Sequence, residues 1–270
     1  MRNFFLLTGI VFLSSVTMAQ RSFEGLINAE KSFAAYSLAH GTKDAFLKFA
    51  DSTGIIFIQE TEAPANAIDV WKKRENRPGK LDWQPQYAEI ANSKDFGYTT
   101  GPYTFTRNDS VLARGEYLTV WQVNKEGEWK FLLDLGVRNT PKILAFALKK
   151  ITAKKISANA SAAGMVKAEQ EFIASFKTDR KKAYEKYLSG KSILKRNGKY
   201  SITSKKIQKR IINDDPSDTE FKLIGSGVAS SGDLGYVYGT VTVGVKQFGY
   251  LRIWRKEKNG WKIALEVLRY

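Results

Sequence analysis

The sequence predicts an α+β protein built from two copies of one domain, each with helices packed on one side of a curved antiparallel sheet. Residues 93–101 (SKDFGYTTG) recur in looser form as residues 231–239 (SGDLGYVYG), about half the chain later. Each half also shows the same order of patterns, in which apolar residues at helical spacing precede a short apolar run, another helix and a series of long alternating strands.

Further blocks of the repeat keep the same order at a nearly constant offset. Residues 117–121 (YLTVW) return as 250–254 (YLRIW), and Ala29-Glu30 returns as Ala168-Glu169. A period this long indicates duplicated globular domains and not a solenoid of short repeats. We therefore expect a first domain over 22–138, a basic linker over 139–164 and a second domain over 165–270.

In the first domain, apolar spacing predicts a helix that ends at Gly41, a short second helix, a buried strand over 55–58 and a third helix with Pro64 in its first turn. In the second domain, two helices precede a small hairpin that turns at Asn197-Gly198, and a third helix follows. The linker segment 143–156 is predicted to form a basic amphipathic helix. The alternating segments predict four long strands in each domain, at 86–91, 97–106, 112–124 and 128–137, and at 220–229, 235–245, 248–256 and 261–268.

The N-terminus has the pattern of an export signal. Arg2 precedes an apolar run over 4–13, and small residues at Thr17 and Ala19 suit cleavage after Ala19. Residues 1–19 are therefore predicted to be a signal peptide, and the mature chain to be periplasmic or secreted without a transmembrane segment. An uncleaved anchor is the alternative.

Composition narrows the chemistry that the chain can perform. Its 270 residues contain no cysteine and one histidine, so disulfides, thiolate metal sites and cysteine nucleophiles are excluded. We expect no metal and no cofactor.

The formal net charge is +16, and residues 142–212 carry 19 Lys and Arg but only 4 Asp and Glu. This stretch could contact an anionic surface or an acidic partner, or it could be a solvated face; an exported protein is not expected to meet nucleic acid.

Both halves resemble the SnoaL-like branch of the nuclear-transport-factor-2-like (NTF2-like) superfamily, and in particular the DUF4440 group. In the first half the resemblance lies in residues 81–85 (LDWQP), 95–101 (DFGYTTG), Trp121 and Trp129. In the second half it lies in 233–236 (DLGY), Trp254 and Trp261, without the Trp-x-Pro element. The resemblance implies two cone-shaped domains in which a curved sheet wraps around an apolar pocket. Family members include isomerases, cyclases, dehydratases and domains without a known reaction, so the fold leaves the function open.

The resemblance implies a known catalytic arrangement that this sequence does not reproduce. Ketosteroid-isomerase-like members combine a carboxylate base with a Tyr on the first helix, where this chain has Phe33 and Ala34. The remaining candidates for catalysis are His40, Glu60 and Asp134, and whether the chain is an enzyme stays open. The candidates for ligand binding are strand aromatic residues and one acid, namely Trp83, Tyr98, Tyr103, Trp121, Tyr236, Tyr238 and Glu266.

Three functions remain in view. The preferred one is an exported tandem protein that binds a small, partly apolar molecule, and the first domain is favoured because it retains Trp83, Pro85, His40 and Glu60. The second is a SnoaL-like enzyme of the isomerase, dehydratase or hydrolase type that uses a pocket acid or His40. The third is an interaction module in which the basic stretch 142–212 meets an anionic surface or an acidic partner.

Overall fold

The computed structural model describes residues 21–76, 78–139, 147–157, 159 and 161–270. The predicted signal peptide over 1–19 lies outside these residues.

Three helices and eight strands belong to the first domain: α1 Phe23–His40, α2 Thr42–Phe49, α3 Ala67–Lys73, β1 Ala50–Phe57, β2 Pro64–Asn66, β3 Lys80–Trp83, β4 Tyr87–Ile90, β5 Phe96–Arg107, β6 Ser110–Val123, β7 Trp129–Arg138 and β8 Lys149–Lys150.

The second domain repeats this order with fewer strands. Its elements are α4 Ala163–Thr178, α5 Arg180–Tyr187, α6 Lys205–Asp214, β9 Leu188–Arg196, β10 Thr219–Val228, β11 Leu234–Val243, β12 Lys246–Glu257 and β13 Gly260–Leu268. Among the described residues, no helix is long and apolar enough to cross a membrane.

The two sheets have the same strand order. In the first sheet the order β1-β7-β6-β5-β4 begins with a parallel pair and continues antiparallel, and in the second sheet β9-β13-β12-β11-β10 does the same. The single strand β10 corresponds to β3 and β4 together, which are separated around Pro85. The predicted α+β fold, with helices packed on curved antiparallel sheets, is confirmed.

Local sequence explains where the helices begin and end. The Ser22 hydroxyl accepts a hydrogen bond from the Gly25 amide at 2.9 Å and caps α1, while Gly41 ends the helix at a φ of 91°. Leu26 and Phe33 lie on the buried side of α1 and face the sheet. In the second domain, Asp179 caps α5 in the same manner.

Two predicted elements differ from the structure. Pro64 lies in the edge strand β2, and α3 begins three residues later, after its N-cap residue Asn66. Proline has no backbone N–H group to donate, and it is therefore tolerated in an edge strand as well as in the first turn of a helix. The predicted linker helix is wrong where the structure describes the segment: Lys149 and Lys150 form a short strand parallel to β4, and residues 151–157 form neither helix nor strand. Residues 143–146 lie outside the described residues.

The two sheets pack against each other through one shared apolar cluster. Leu118, Leu133 and Leu135 of the first sheet and Leu251 and Leu265 of the second are all buried in it. A single hydrophobic core thus crosses from one domain to the other, and each sheet is covered by its own helices on the opposite face.

The repeated loop meets its own copy at this junction. The hydroxyl oxygens of Ser93 and Ser231, which are equivalent in the repeat, are 3.0 Å apart. The Asn92 amide donates to Asp233, and the Ser230 hydroxyl donates to Asp95 in return. Such reciprocal contacts are the pattern of a two-fold dimer interface, which here lies within one chain.

Buried ion pairs also connect the domains. The Arg255 guanidinium on β12 donates from Nε and Nη2 to the two oxygens of Glu89 on β4, at 2.7 and 2.5 Å. Lys195 on β9 pairs with Glu116 on β6 at 3.2 Å. All four side chains are almost completely buried. Because a buried charge needs its partner, these pairs oppose any separation of the two sheets.

Candidate functional site

A cavity of about 240 Å³ lies between the helices and the sheet of the first domain. One part of its wall is apolar, and the other part carries hydroxyl, carboxyl and guanidinium groups. The apolar residues of the wall are Phe33, Phe46, Ile56, Phe57, Trp71, Leu81, Trp83 and Leu135. The polar side chains are Gln59, Arg74, Tyr103, Tyr117, Asp134, Arg138 and Arg269.

Strand alternation explains which sheet residues reach this cavity. Asp134 and Arg138 are separated by an even number of positions on β7, so their side chains leave the same face of the sheet, while Leu133 and Val137 face the second domain. Tyr117 on β6 and Tyr103 on β5 emerge on the cavity face of their strands. The Tyr103 ring lies against Gly115 of the neighbouring strand, where an added Cβ would come within 2.5 Å of the ring.

Asp134 supplies the carboxyl group of the cavity. Its Oδ2 accepts a hydrogen bond from the Thr119 hydroxyl at 2.7 Å. Burial raises the pKa of Asp134 from its usual value of 3.8 to about 6, although the Thr119 hydrogen bond acts in the opposite direction. A carboxyl group with this pKa can both release and accept a proton near neutral pH.

A second carboxyl group, Glu30 on α1, lies behind the cavity wall. It accepts hydrogen bonds from the indole nitrogens of Trp83 and Trp121, at 2.5 and 2.9 Å, and from the Thr99 hydroxyl. Burial raises the pKa of Glu30 from 4.5 to about 7, although the hydrogen bonds from Thr99, Trp83 and Trp121 act in the opposite direction. The hydrogen bond from Trp83 fixes that indole as part of the cavity wall.

Two hydrogen-bond donors in the cavity wall lack partners. The Tyr117 hydroxyl is buried without a hydrogen-bond partner among the described residues, and so is the indole nitrogen of Trp71. Burial and the nearby Glu30 raise the pKa of Tyr117 well above its usual value, although the neighbouring Thr99 hydroxyl acts in the opposite direction, so its phenol stays protonated. Buried polar groups are nearly always satisfied, and unpaired ones that line a cavity indicate where a ligand or water would bind.

Three guanidinium groups lie in the same wall. Arg138 ends β7 and is exposed, Arg74 follows α3 and stacks over Trp71 at 4.5 Å, and Arg269 comes from the C-terminal end of the second domain. Arg269 forms an ion pair with Glu62 at 3.2 Å. The cavity of the first domain therefore includes a side chain from the second.

The corresponding space in the second domain is occupied by Arg252. This residue stands where the first domain has Thr119, and it faces Glu266 across the strand pair as Thr119 faces Asp134. Its guanidinium donates to Glu169 and Glu266 at 2.5 and 2.6 Å and is completely buried. An ion pair network thus fills, in the second domain, the space that stays open in the first domain.

That network extends beyond Arg252. Glu266 also accepts hydrogen bonds from Arg196 and from the Tyr184 hydroxyl, both at 2.7 Å, and Arg196 pairs with Asp215. Although burial acts to raise the pKa of Glu266, the two arginines outweigh it and lower that pKa. Glu266 is therefore a structural anion in this domain.

The structure brings three of the predicted site residues together. Trp83, Tyr103 and Asp134 all line the first-domain cavity. Trp121 lies in the core beneath it, bonded to Glu30. Tyr98, Tyr236 and Tyr238 belong to the junction between the sheets, and Glu266 to the second-domain network. His40 and Glu60 are exposed at the end of α1 and in the turn after β1, outside the cavity.

Several site residues were not predicted from the sequence. Glu30 and Glu169 mark the repeat in the sequence, and the recurrence of an acid in two apolar helix stripes signals a buried carboxyl group. The exchange of Thr119 for Arg252 within the repeated YLxxW block was a visible sign that the two copies differ in their pockets. Nothing in the local sequence marks Arg269.

The basic stretch is less exposed than its composition indicates. Lys195 and Arg196 are buried in ion pairs, and Lys155 pairs with the buried Glu89 at 3.4 Å. Lys205 donates to the Ser189 carbonyl. Contact with an anionic surface stays a prediction, with fewer free charges to support it.

The described residues contain no group of three or more His, Cys, Asp or Glu side chains that could bind a metal ion.

Comparison with known proteins gives likenesses of fold. No family model and no curated protein matches the chain. A candidate ketosteroid isomerase from Parabacteroides distasonis is 19% identical at a TM-score of 0.37, and the match covers 47% of this chain and 94% of that one. An NTF2-like protein of unknown function from Shewanella oneidensis is 11% identical at 0.34, with 41% and 94% covered. A ketosteroid isomerase-like protein from Erwinia carotovora atroseptica is 16% identical at 0.33, with 42% and 97% covered.

Each match covers less than half of this chain and nearly all of the solved chain. At these identities and TM-scores the matches say nothing about the activity of this chain, and the fold itself rests on the strand order and register described above.

The buried Glu30 predicts a pH dependence of stability. Because its pKa is higher in the folded state than the usual 4.5, the folded state binds the proton more tightly, and stability is lost as the pH rises from about 4.5 through about 7. The full change is about 3 kcal/mol at 1.36 kcal/mol per pH unit. Asp134, whose pKa burial raises to about 6, adds a decline of the same sign at lower pH. Glu30→Gln should therefore lose the Glu30 part of the decline and retain the Asp134 part when the free energy of unfolding is measured by urea titration between pH 4.5 and 8.

The matched control is Glu24→Gln, on the exposed side of the same helix. It should leave the pH profile of the wild type unchanged. Parallel profiles for the wild type and Glu30→Gln would show that Glu30 does not titrate in this range.

Proposed function

We propose that the first domain binds a small, partly apolar molecule in the cavity between α1, α3 and the sheet. The observation that carries the proposal is the difference between the two copies. Both have the same strands around the same space, but the second fills it with Arg252 and the first keeps it open beside Asp134 and the unpartnered Tyr117 hydroxyl. Concave sites with apolar walls and a few polar groups are typical of small-molecule binding.

The size and lining of the cavity support a compact ligand. Aromatic rings at Phe33, Phe46 and Trp71 offer flat apolar contact, and Phe46 stacks on Trp71 with ring centroids 4.4 Å apart. These rings are already packed against one another, so little order would have to be gained on binding. The second domain is proposed to act as a scaffold that holds the first.

The two copies provide the test. In Thr119→Arg, the new guanidinium can reach Glu30 and Asp134 as Arg252 reaches Glu169 and Glu266, so it should fill the cavity without unfolding the domain. Binding of the neutral fluorescent probe N-phenylnaphthylamine should weaken at least tenfold, or about 1.4 kcal/mol. The measurement is a fluorescence titration, with the melting temperature recorded for each variant.

Thr119→Ser is the control for this variant, because it retains the hydroxyl that donates to Asp134 and leaves the cavity open. It should bind the probe like the wild type. If Thr119→Arg folds and still binds the probe with the affinity of the wild type, the ligand site is not in this cavity.

Proton transfer at Asp134 is a second candidate function. The observation that favours it is a cavity carboxyl group with a pKa of about 6, on the same wall as the Tyr117 phenol. A carbonyl substrate could lose a proton to Asp134 while Tyr117 donates a hydrogen bond to the developing enolate oxygen. Asp134→Asn should then abolish turnover of a substrate while retaining N-phenylnaphthylamine binding. Turnover that survives in Asp134→Asn would exclude Asp134 as the base.

Export is the third part of the proposal. It is supported by the charged start, apolar run and small residues within 1–19. N-terminal sequencing of the protein from an exporting cell should find Gln20 first. Retention of residues 4–13 in the mature chain would show an anchor instead.

A further inference from the structure

We infer that the ligand of the first-domain cavity is a small organic acid, whose carboxylate binds at the junction of the two domains between Arg138 and Arg269. The inference rests on the proposed function, since it assigns the ligand class of the same cavity. It also assigns Arg269 a role in specificity, although this residue belongs to the second domain.

The unpaired groups of the cavity are mainly donors. The Tyr117 hydroxyl and the Trp71 indole nitrogen are buried without partners among the described residues, and Tyr117 is only 6% exposed. An indole nitrogen can only donate, and a phenol most readily donates to an anion. Donors of this kind beside the cavity favour a ligand with acceptor oxygens over one with further donors.

The charge of the wall points to the same ligand. Arg138 and Arg269 line the cavity near the end of β7. Burial lowers the pKa of Arg269, and the like charge of Arg138 acts in the same direction. Glu62 forms an ion pair with Arg269 at 3.2 Å, and the carboxyl group of Asp134 also favours the charged form of Arg269. A carboxylate between two guanidinium groups forms short, charge-assisted hydrogen bonds and removes this repulsion.

Asp134 does not occupy the position of that carboxylate. It lies four residues before Arg138 on the same strand, or about 13 Å away at about 3.3 Å per residue, and it is bonded to Thr119. A ligand with its carboxylate at Arg138 can thus extend its apolar body along the cavity towards Asp134. This spacing suits an aromatic ring with a short acid side chain.

The second domain fixes the geometry of this end of the cavity. The Arg138 amide donates to the Asn197 side chain at 3.0 Å, and the Gly198 amide donates to the Arg138 carbonyl at 2.7 Å. Glu62, which holds Arg269, accepts a hydrogen bond from the Gly249 amide at 3.1 Å. Both arginines are therefore positioned by contacts that cross the domain junction, which gives the second domain a direct part in recognition.

The test compares two probes that differ only in the acid group, phenylbutyrate and phenylbutanol, by isothermal titration calorimetry on the full chain. The wild type should bind the acid at least tenfold more tightly. Arg138→Gln and Arg269→Gln should each weaken phenylbutyrate at least fivefold while changing phenylbutanol by less than twofold, and Arg269→Lys should restore part of the acid preference. Arg107→Gln, the same charge change on an exposed residue outside the cavity, should alter neither probe.

Equal affinity for the two probes in the wild type, with no effect of either arginine variant, would overturn the inference. If phenylbutanol still competes with N-phenylnaphthylamine in that case, the cavity remains a site for neutral ligands and the proposed function stands. If neither probe binds and N-phenylnaphthylamine also fails to bind, the proposed function fails together with the inference.

Discussion

Each domain of this protein is built around a carboxyl group buried between its first helix and its sheet. Glu30 and Glu169 occupy equivalent positions on α1 and α4, and each accepts a hydrogen bond from the equivalent sheet tryptophan, Trp121 or Trp254. Burying a charge without compensation is costly, so each domain must either neutralise its acid or pair it. The side chains that surround each acid therefore supply either neutral hydrogen-bond donors or a cation.

The two domains meet the requirement differently. In the second, Arg252 neutralises Glu169 and in doing so fills the interior with its side chain, which also packs over the rings of Phe172 and Phe221. In the first, Thr119 is too short to reach Glu30, which is held by neutral donors and keeps a raised pKa. Burial raises the pKa of both acids, so the feature that follows from the exchange of Thr119 for Arg252 is the open cavity of the first domain.

The strands could be predicted from the sequence because alternation and turn residues define them locally. Strands β5 and β6 were expected within a few residues of their observed ends, and the repeat predicted their counterparts β11 and β12. The start of α3 was harder, since the fixed φ of Pro64 fits a strand as well as a first helical turn.

The candidate site could be predicted only in part, because the alternation of side chains along a strand does not show which face of the sheet lines the cavity. Tyr98 and Tyr103 lie on opposite faces of β5, and the sequence shows the alternation without showing which face meets the helices. Both faces of the sheet are apolar, because one packs on α1 and the other on the second domain. Arg269 was beyond prediction, since only the packing of the two sheets brings the C-terminus to the cavity of the other domain.

The contact between Ser93 and Ser231 has a consequence for how the two copies could diverge. In a symmetric dimer of separate chains, a substitution that filled one pocket would fill both, and the protein would lose its binding sites together. Here the same interface joins two halves that are always present in a one-to-one ratio. One half can therefore give up its pocket for a rigid charged interior and contribute a side chain to its neighbour, while the other retains the space for a ligand.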